Sequence, residues 1–126
     1  MSNEEVKAIL EAPKNIKHQA MLSLINACGL RRSELLNLTL KEIQSDRNLL
    51  LIKQAKGKKD RVIPISNNVI KLLRVYYKEW KPKTWLFEGQ FPNTQYSAIS
   101  LESVLKQSLS KAKISKPVSL HWLRHS

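Results

Sequence analysis

The sequence predicts an α+β fold, mainly α-helical, with one small antiparallel β-sheet. Three observations predict it. Apolar residues recur at helical spacing through much of the chain, as in Val69, Leu72, Leu73, Tyr76 and Trp80. Cap and breaker residues divide those stretches into helices of ordinary length. Two short, partly β-branched runs, Leu49–Ile52 and residues 61–65, flank Lys56-Gly57-Lys58-Lys59-Asp60, which reads as a hairpin over about residues 49–65.

The elements follow in order. Ser2-Asn3-Glu4-Glu5 is a capping-box pattern, so a first helix is expected over Asn3–Glu11, broken by Pro13. The next, Ile16–Cys28, carries Met21, Leu22, Leu24, Ile25 and Ala27 on several sides, so it is expected to be buried almost all round. Gly29 stands just past its end, where a left-handed residue closes a helix. Arg31 and Arg32 lie in a tight connection before a short helix over about residues 33–38. After the hairpin, an amphipathic helix over about residues 68–80 stops at Pro82. Leu86-Phe87 is a candidate third strand, and residues 89–96 read as loop. Leu101, Val104, Leu105, Leu109 and Ala112 mark a helix over about residues 100–113, with Ser100 as N-cap. Ser119 then opens a last helix that stops short of two turns without a cap, which is rare at a natural domain end. The chain is therefore expected to be part of a longer fold, with C-terminal helices missing and an apolar patch left uncovered or hidden by self-association.

The 126 residues fit one domain, and 42% hydrophobic residues suffice for a core. Lys and Arg number 22 against 10 Asp and Glu, a formal net charge of +12 that calls for a polyanionic partner. A membrane surface is the weakest candidate. The longest apolar stretch, residues 20–30, is interrupted by Ser23 and Asn26 and is too short to span. No charged leader precedes an apolar run, and Cys28 is the sole cysteine, so a cytoplasmic protein with an inert buried thiol is expected.

Three segments carry chemistry. In the terminal helix start, His121 and Arg124 stand at i and i+3 and share a face. A guanidinium that grips two oxygens beside an imidazole that moves a proton makes a phosphate site; the plain alternative is an ordinary basic surface. His121 and His125, four apart, have a zinc-like spacing but no further ligands, so no metal is expected. In Gly29-Leu30-Arg31-Arg32-Ser33-Glu34, an arginine springs from the end of a rigid helix with Glu34 in reach to orient it, or the three charges form a surface cluster of little energetic weight. In Lys56-Gly57-Lys58-Lys59-Asp60-Arg61, four cations at a hairpin tip suit a DNA groove or backbone, or simply keep a sheet edge soluble. Lys71, Arg74, Lys78 and Lys81 form a basic helix face, and Trp80, Trp85 and Trp122 are read as packing residues rather than base-stacking ones.

In their order and separation, Cys28-Gly29-Leu30-Arg31-Arg32-Ser33-Glu34-Leu35, Lys56-Gly57-Lys58-Lys59-Asp60-Arg61-Val62-Ile63-Pro64 and His121-Trp122-Leu123-Arg124-His125-Ser126 resemble the catalytic domain of the tyrosine recombinases, or phage integrases. The resemblance covers essentially residues 1–126 and implies a partial catalytic domain. It implies that Arg31 and Arg124 hold the scissile phosphate, that Lys56 protonates the leaving 5′ oxygen and that His121 is a general acid/base. It further implies that Glu34 buttresses Arg31, that His125 is structural, and that Lys58, Lys59 and Arg61 contact DNA. It implies no cofactor and no metal, because arginines supply the charge stabilisation. Double-stranded DNA is the implied partner, with the parent protein assembling as a homo-oligomer on it. Tyr76, Tyr77 and Tyr96 precede His121 and match no nucleophile position, so DNA binding without strand exchange is expected. The alternatives are a non-catalytic DNA-binding protein, such as a decayed integrase or a regulator, and an RNA- or ribosome-associated basic domain.

Overall fold

In the computed structural model, which describes residues 2–52, 60–91 and 93–125, helices begin where side chains can satisfy unpaired backbone N–H groups. Ser2 Oγ accepts from the Glu5 amide and the Glu5 carboxylate accepts from the Ser2 amide, so α1 (Asn3–Glu11) opens on a complete capping box. Asn15 Oδ1 accepts from the Lys17 amide at 2.9 Å and starts α2 (Ile16–Cys28). Gly29 ends α2 at φ 63, ψ 38, a left-handed conformation in which any side chain would be strained. After α3 (Arg32–Leu36) and a 3-10 turn (Leu40–Glu42) come β1 (Ile43–Gln44), β2 (Leu49–Ile52) and β3 (Arg61–Pro64). The chain closes with α4 (Asn67–Trp80), α5 (Ala98–Lys111) and α6 (Leu120–Arg124).

The strands form one antiparallel sheet in the order β1-β2-β3, with Leu50 opposite Ile63 and Ile43 opposite Leu50. Alternation along β2 turns Leu50 and Ile52 into the core. The 53–59 segment, which includes Lys56, Lys58 and Lys59, lies outside the described residues.

α2 is the axis of the molecule. Ala20, Met21, Leu22, Leu24 and Ile25 are fully buried, and α1, α3, α4 and α6 pack around it. Complete burial of each such Leu, Ile or Met contributes about 1.5–3 kcal/mol, so this helix dominates the core. Its Cys28 thiol is buried, which pushes its pKa up to about 11 and keeps it protonated at neutral pH.

Several details depart from the sequence expectation. The third strand is Ile43–Gln44, not Leu86-Phe87. Leu86 and Phe87 are buried instead beneath Tyr76, whose ring centroid lies 5.1 Å from that of Phe87 and whose hydroxyl donates to the Leu86 carbonyl at 2.6 Å. The N-cap of α5 is Ser97, accepting from the Ser100 amide at 3.0 Å, so the helix starts earlier than Ser100 allows. α3 begins at Arg32 and ends at Leu36, and β3 stops at Pro64. Among the described residues Val62, Val75, Tyr77, Trp80, Phe91, Ile99 and Trp122 remain exposed, on five different parts of the chain. No helix among these residues is long and apolar enough to cross a membrane.

Candidate phosphate-binding site

The C-terminal end of α2 organises the site. Gly29 turns the chain, Leu30 is buried beside it, and Arg31 emerges as the N-cap residue of α3. Glu34 fixes that turn with one oxygen and reaches the sheet with the other. Oε1 accepts from the Arg31 backbone N–H at 2.8 Å, and Oε2 lies 3.3 Å from Arg61 Nη1 at the start of β3. Glu34 thus supports Arg31 through its backbone, whereas the sequence suggested its guanidinium. Among the described residues the Arg31 guanidinium has no hydrogen-bond or ion-pair partner. Arg61 has its carboxylate partner within the protein.

α6 brings the second arginine to the same place. Ser119 Oγ accepts from the Trp122 amide at 3.1 Å, and buried Leu120 and Leu123 pin the helix to the core. Asn26 of α2 donates to the Leu123 carbonyl at 3.1 Å. Arg124 Nε donates to the Gly29 carbonyl at 2.6 Å, across 95 residues of sequence. This bond aims the guanidinium and leaves its two terminal nitrogens without a protein partner among the described residues. An arginine fork held by one nitrogen keeps the pair that grips two oxygens at once.

Arg31, Arg32, Ser119, His121, Arg124 and Glu102 line one open cavity of about 420 Å³. Arg31, His121 and Arg124, three of the four residues to which the resemblance gives catalytic roles, therefore share it; the fourth, Lys56, falls outside the described residues, as do Lys58 and Lys59. His125 meets the His121 ring edge-on, with centroids 4.7 Å apart and planes at 69°. Two guanidinium groups and an imidazole around one space can hold a tetrahedral anion and move a proton to or from it. Among the described residues no group of three or more His, Cys, Asp and Glu side chains could hold a metal ion.

Two contacts were not legible from the motifs. Asn26 had a signal, a polar side chain inside the most apolar run of the sequence. The ion pair between Arg32 Nη1 and Glu102 Oε1, at 2.6 Å across 70 residues, had none.

Known proteins are similar to this chain in sequence and in fold. Residues 1–126 match the family described as the phage integrase family. A putative integrase/recombinase of Sinorhizobium fredii is 37% identical over 129 residues, covering 100% of this chain and 50% of the relative. A tyrosine recombinase of Thermosipho africanus is 32% identical over 129 residues, covering 100% of this chain and 45% of the relative. The crystal structure of XerA recombinase superposes with a TM-score of 0.90 at 25% identity, over 99% of this chain and 46% of that one. The XerH site-specific recombinase bound to its difH substrate shares the fold, with a TM-score of 0.83 at 22% identity over 100% of this chain and 40% of that one. The chain spans about half the length of the curated relatives it matches.

Proposed function

The chain belongs to the phage integrase family, the tyrosine recombinases, and from that premise we propose that it is the phosphate-gripping part of a site-specific DNA recombinase. The observation that carries the reading is the meeting of Arg31, His121 and Arg124 on one cavity, with Arg124 held by the Gly29 carbonyl. The parent cuts and rejoins double-stranded DNA. A tyrosine oxygen attacks the scissile phosphorus, a 3′-phosphotyrosyl bond forms, and the bond from phosphorus to the 5′ oxygen breaks. Arg31 and Arg124 hold the non-bridging oxygens and stabilise the charge that builds on them. Lys56 delivers the proton to the leaving 5′ oxygen, and His121 exchanges a proton with the nucleophile. Glu34 and His125 keep Arg31 and His121 in place. Religation runs the same steps in reverse, with the 5′ hydroxyl expelling the tyrosine. The parent works in the cytoplasm as a homo-oligomer on its DNA, with Lys58, Lys59 and Arg61 on the backbone.

No tyrosine of this chain serves as that nucleophile. Tyr76 is buried and bonded to the Leu86 carbonyl, Tyr96 lies against Lys17, Tyr77 lies on α4, and none lines the arginine cavity. The chain alone binds duplex DNA without a covalent adduct. That same observation favours a second reading, a non-catalytic DNA-binding protein. The reading frame after residue 126 separates them: a tyrosine within it supports the enzyme, and a stop codon supports the second reading.

Fluorescence anisotropy of a labelled duplex tests the binding. About five phosphate contacts give a log–log salt slope near roughly −4.5. Arg31→Ala and Arg124→Ala each weaken binding and flatten the slope. Salt-independent binding, or a covalent adduct on a nicked duplex, overturns the reading.

A further inference from the structure

We infer that Arg32 is a DNA-phosphate contact held in reserve by Glu102, released when a backbone phosphate takes the carboxylate's place. This rests on the cavity being a DNA site. Arg31 and Arg32 are sequence neighbours with opposite arrangements. Arg31 has its backbone fixed and its guanidinium without a partner among the described residues. Arg32, the first residue of α3, reaches across to α5, where its Nη1 meets Glu102 Oε1 at 2.6 Å. Both residues line the cavity with Arg31, His121 and Arg124, so Glu102 sets a negative charge at the edge of a site built for an anion. That placement opposes any bound phosphate unless the carboxylate is displaced.

The pair is weak enough to be displaced. Its side chains are 51% and 50% exposed, and ion pairs so exposed contribute little to stability. A phosphodiester offers the same guanidinium two charged oxygens in bidentate geometry. Repulsion between Glu102 and the entering phosphate favours the exchange further. Before binding, Arg32 is neutralised at the rim; after it, three arginines face the nucleic acid. Because Arg32 only comes into play when a phosphate reaches the rim as well as the floor of the cavity, the exchange favours a DNA strand over a small isolated anion.

The test is binding of a duplex of about 30 base pairs to the full chain between about 50 and 200 mM salt. Glu102→Gln is expected to tighten binding several-fold with the slope unchanged, since Arg32 touches phosphate in both proteins. Arg32→Ala is expected to weaken binding and reduce the slope by about 0.9, the loss of one contact. Arg32→Lys, which keeps the charge, retains most of the slope and guards against a folding defect in the alanine variant. In the Arg32→Ala background Glu102→Gln loses most of its effect, because the two act through one contact. A wild-type slope in Arg32→Ala overturns the inference, as does equal tightening by Glu102→Gln with and without Arg32. Arg124→Ala separates the two levels. If it leaves binding unchanged, the DNA reading of the cavity fails and this inference with it. If it weakens binding while the Arg32 and Glu102 variants do not, only this inference fails.

Discussion

Each end of α2 takes part in a 2.6 Å bond between a cation and a backbone carbonyl far apart in sequence, with opposite results. At the N-terminal end Lys17 is only 7% exposed. Its Nζ donates to the Glu88 carbonyl and lies 4.7 Å from the ring centroids of both Trp80 and Tyr96. Burial pushes its pKa below the ordinary lysine value, with the Glu88 charge opposing the shift. The ammonium is enclosed, and it fastens the loop after α4 to the core. At the C-terminal end Arg124 commits one nitrogen to Gly29 and lines the open cavity with the rest of its guanidinium. A compact ammonium in an aromatic enclosure is a structural bolt. A planar fork anchored at Nε is both fastened and available, which lysine cannot be.

The comparison breaks most sharply at Arg124. In the intact recombinase Arg124→Ala is expected to lower the cleavage rate on the order of a hundredfold or more. Arg124→Lys should recover little of it, because an ammonium bonded to the Gly29 carbonyl offers a phosphate no planar two-pronged grip. Arg31→Lys, which sacrifices no such anchor, should keep more activity than Arg124→Lys. Single-turnover cleavage of a labelled duplex ranks the three, and equal rates for the two lysine variants would sink the distinction.

At the other end, Lys17→Ala leaves the Glu88 carbonyl without its donor and the two rings without their cation. The expected cost is about 1–3 kcal/mol of stability, read from urea unfolding, with the salt slope of DNA binding unaltered. A slope change would mean the two ends are not independent.

The smallest effect sharpens the same contrast. Burial, and then the charges of Lys17 and Lys111, hold the pKa of His18 below its ordinary 6.5. Below that value the unfolded chain binds a proton that the folded chain resists, so unfolding gains protons and stability falls with pH. The stability present above 6.5 is therefore lost as pH drops below it. Urea midpoints between about pH 7 and 5.5 should decline, and His18→Gln should flatten the decline. A pH-independent midpoint in the unaltered chain would remove His18 from the account.

Local chemistry explains what the sequence showed and what it hid. α1 and α2 match their expected bounds because a capping box, an Asn cap and a left-handed glycine act within a few residues. The start of α5 was ambiguous for the same reason. Ser97 and Ser100 are both competent caps three residues apart, and the structure uses the first, with the second bonded to it. β1 was hidden because two residues form a strand only through pairing with β2. Leu86-Phe87 misled because burial against Tyr76 writes the same apolar pair that a strand would. The meeting of Arg31 with His121 and Arg124 was suggested by family resemblance, since no spacing rule reaches across some ninety residues. The Arg32–Glu102 pair belongs to no motif and became visible only in three dimensions.

Glu34 couples parts of the molecule that otherwise have separate tasks. One carboxylate oxygen secures the turn into α3 and the other secures the base of the β2–β3 ribbon. Sheet and helix are geared together through a single side chain. Removing that one carboxylate takes away the contact to the Arg31 amide and the contact to Arg61 together.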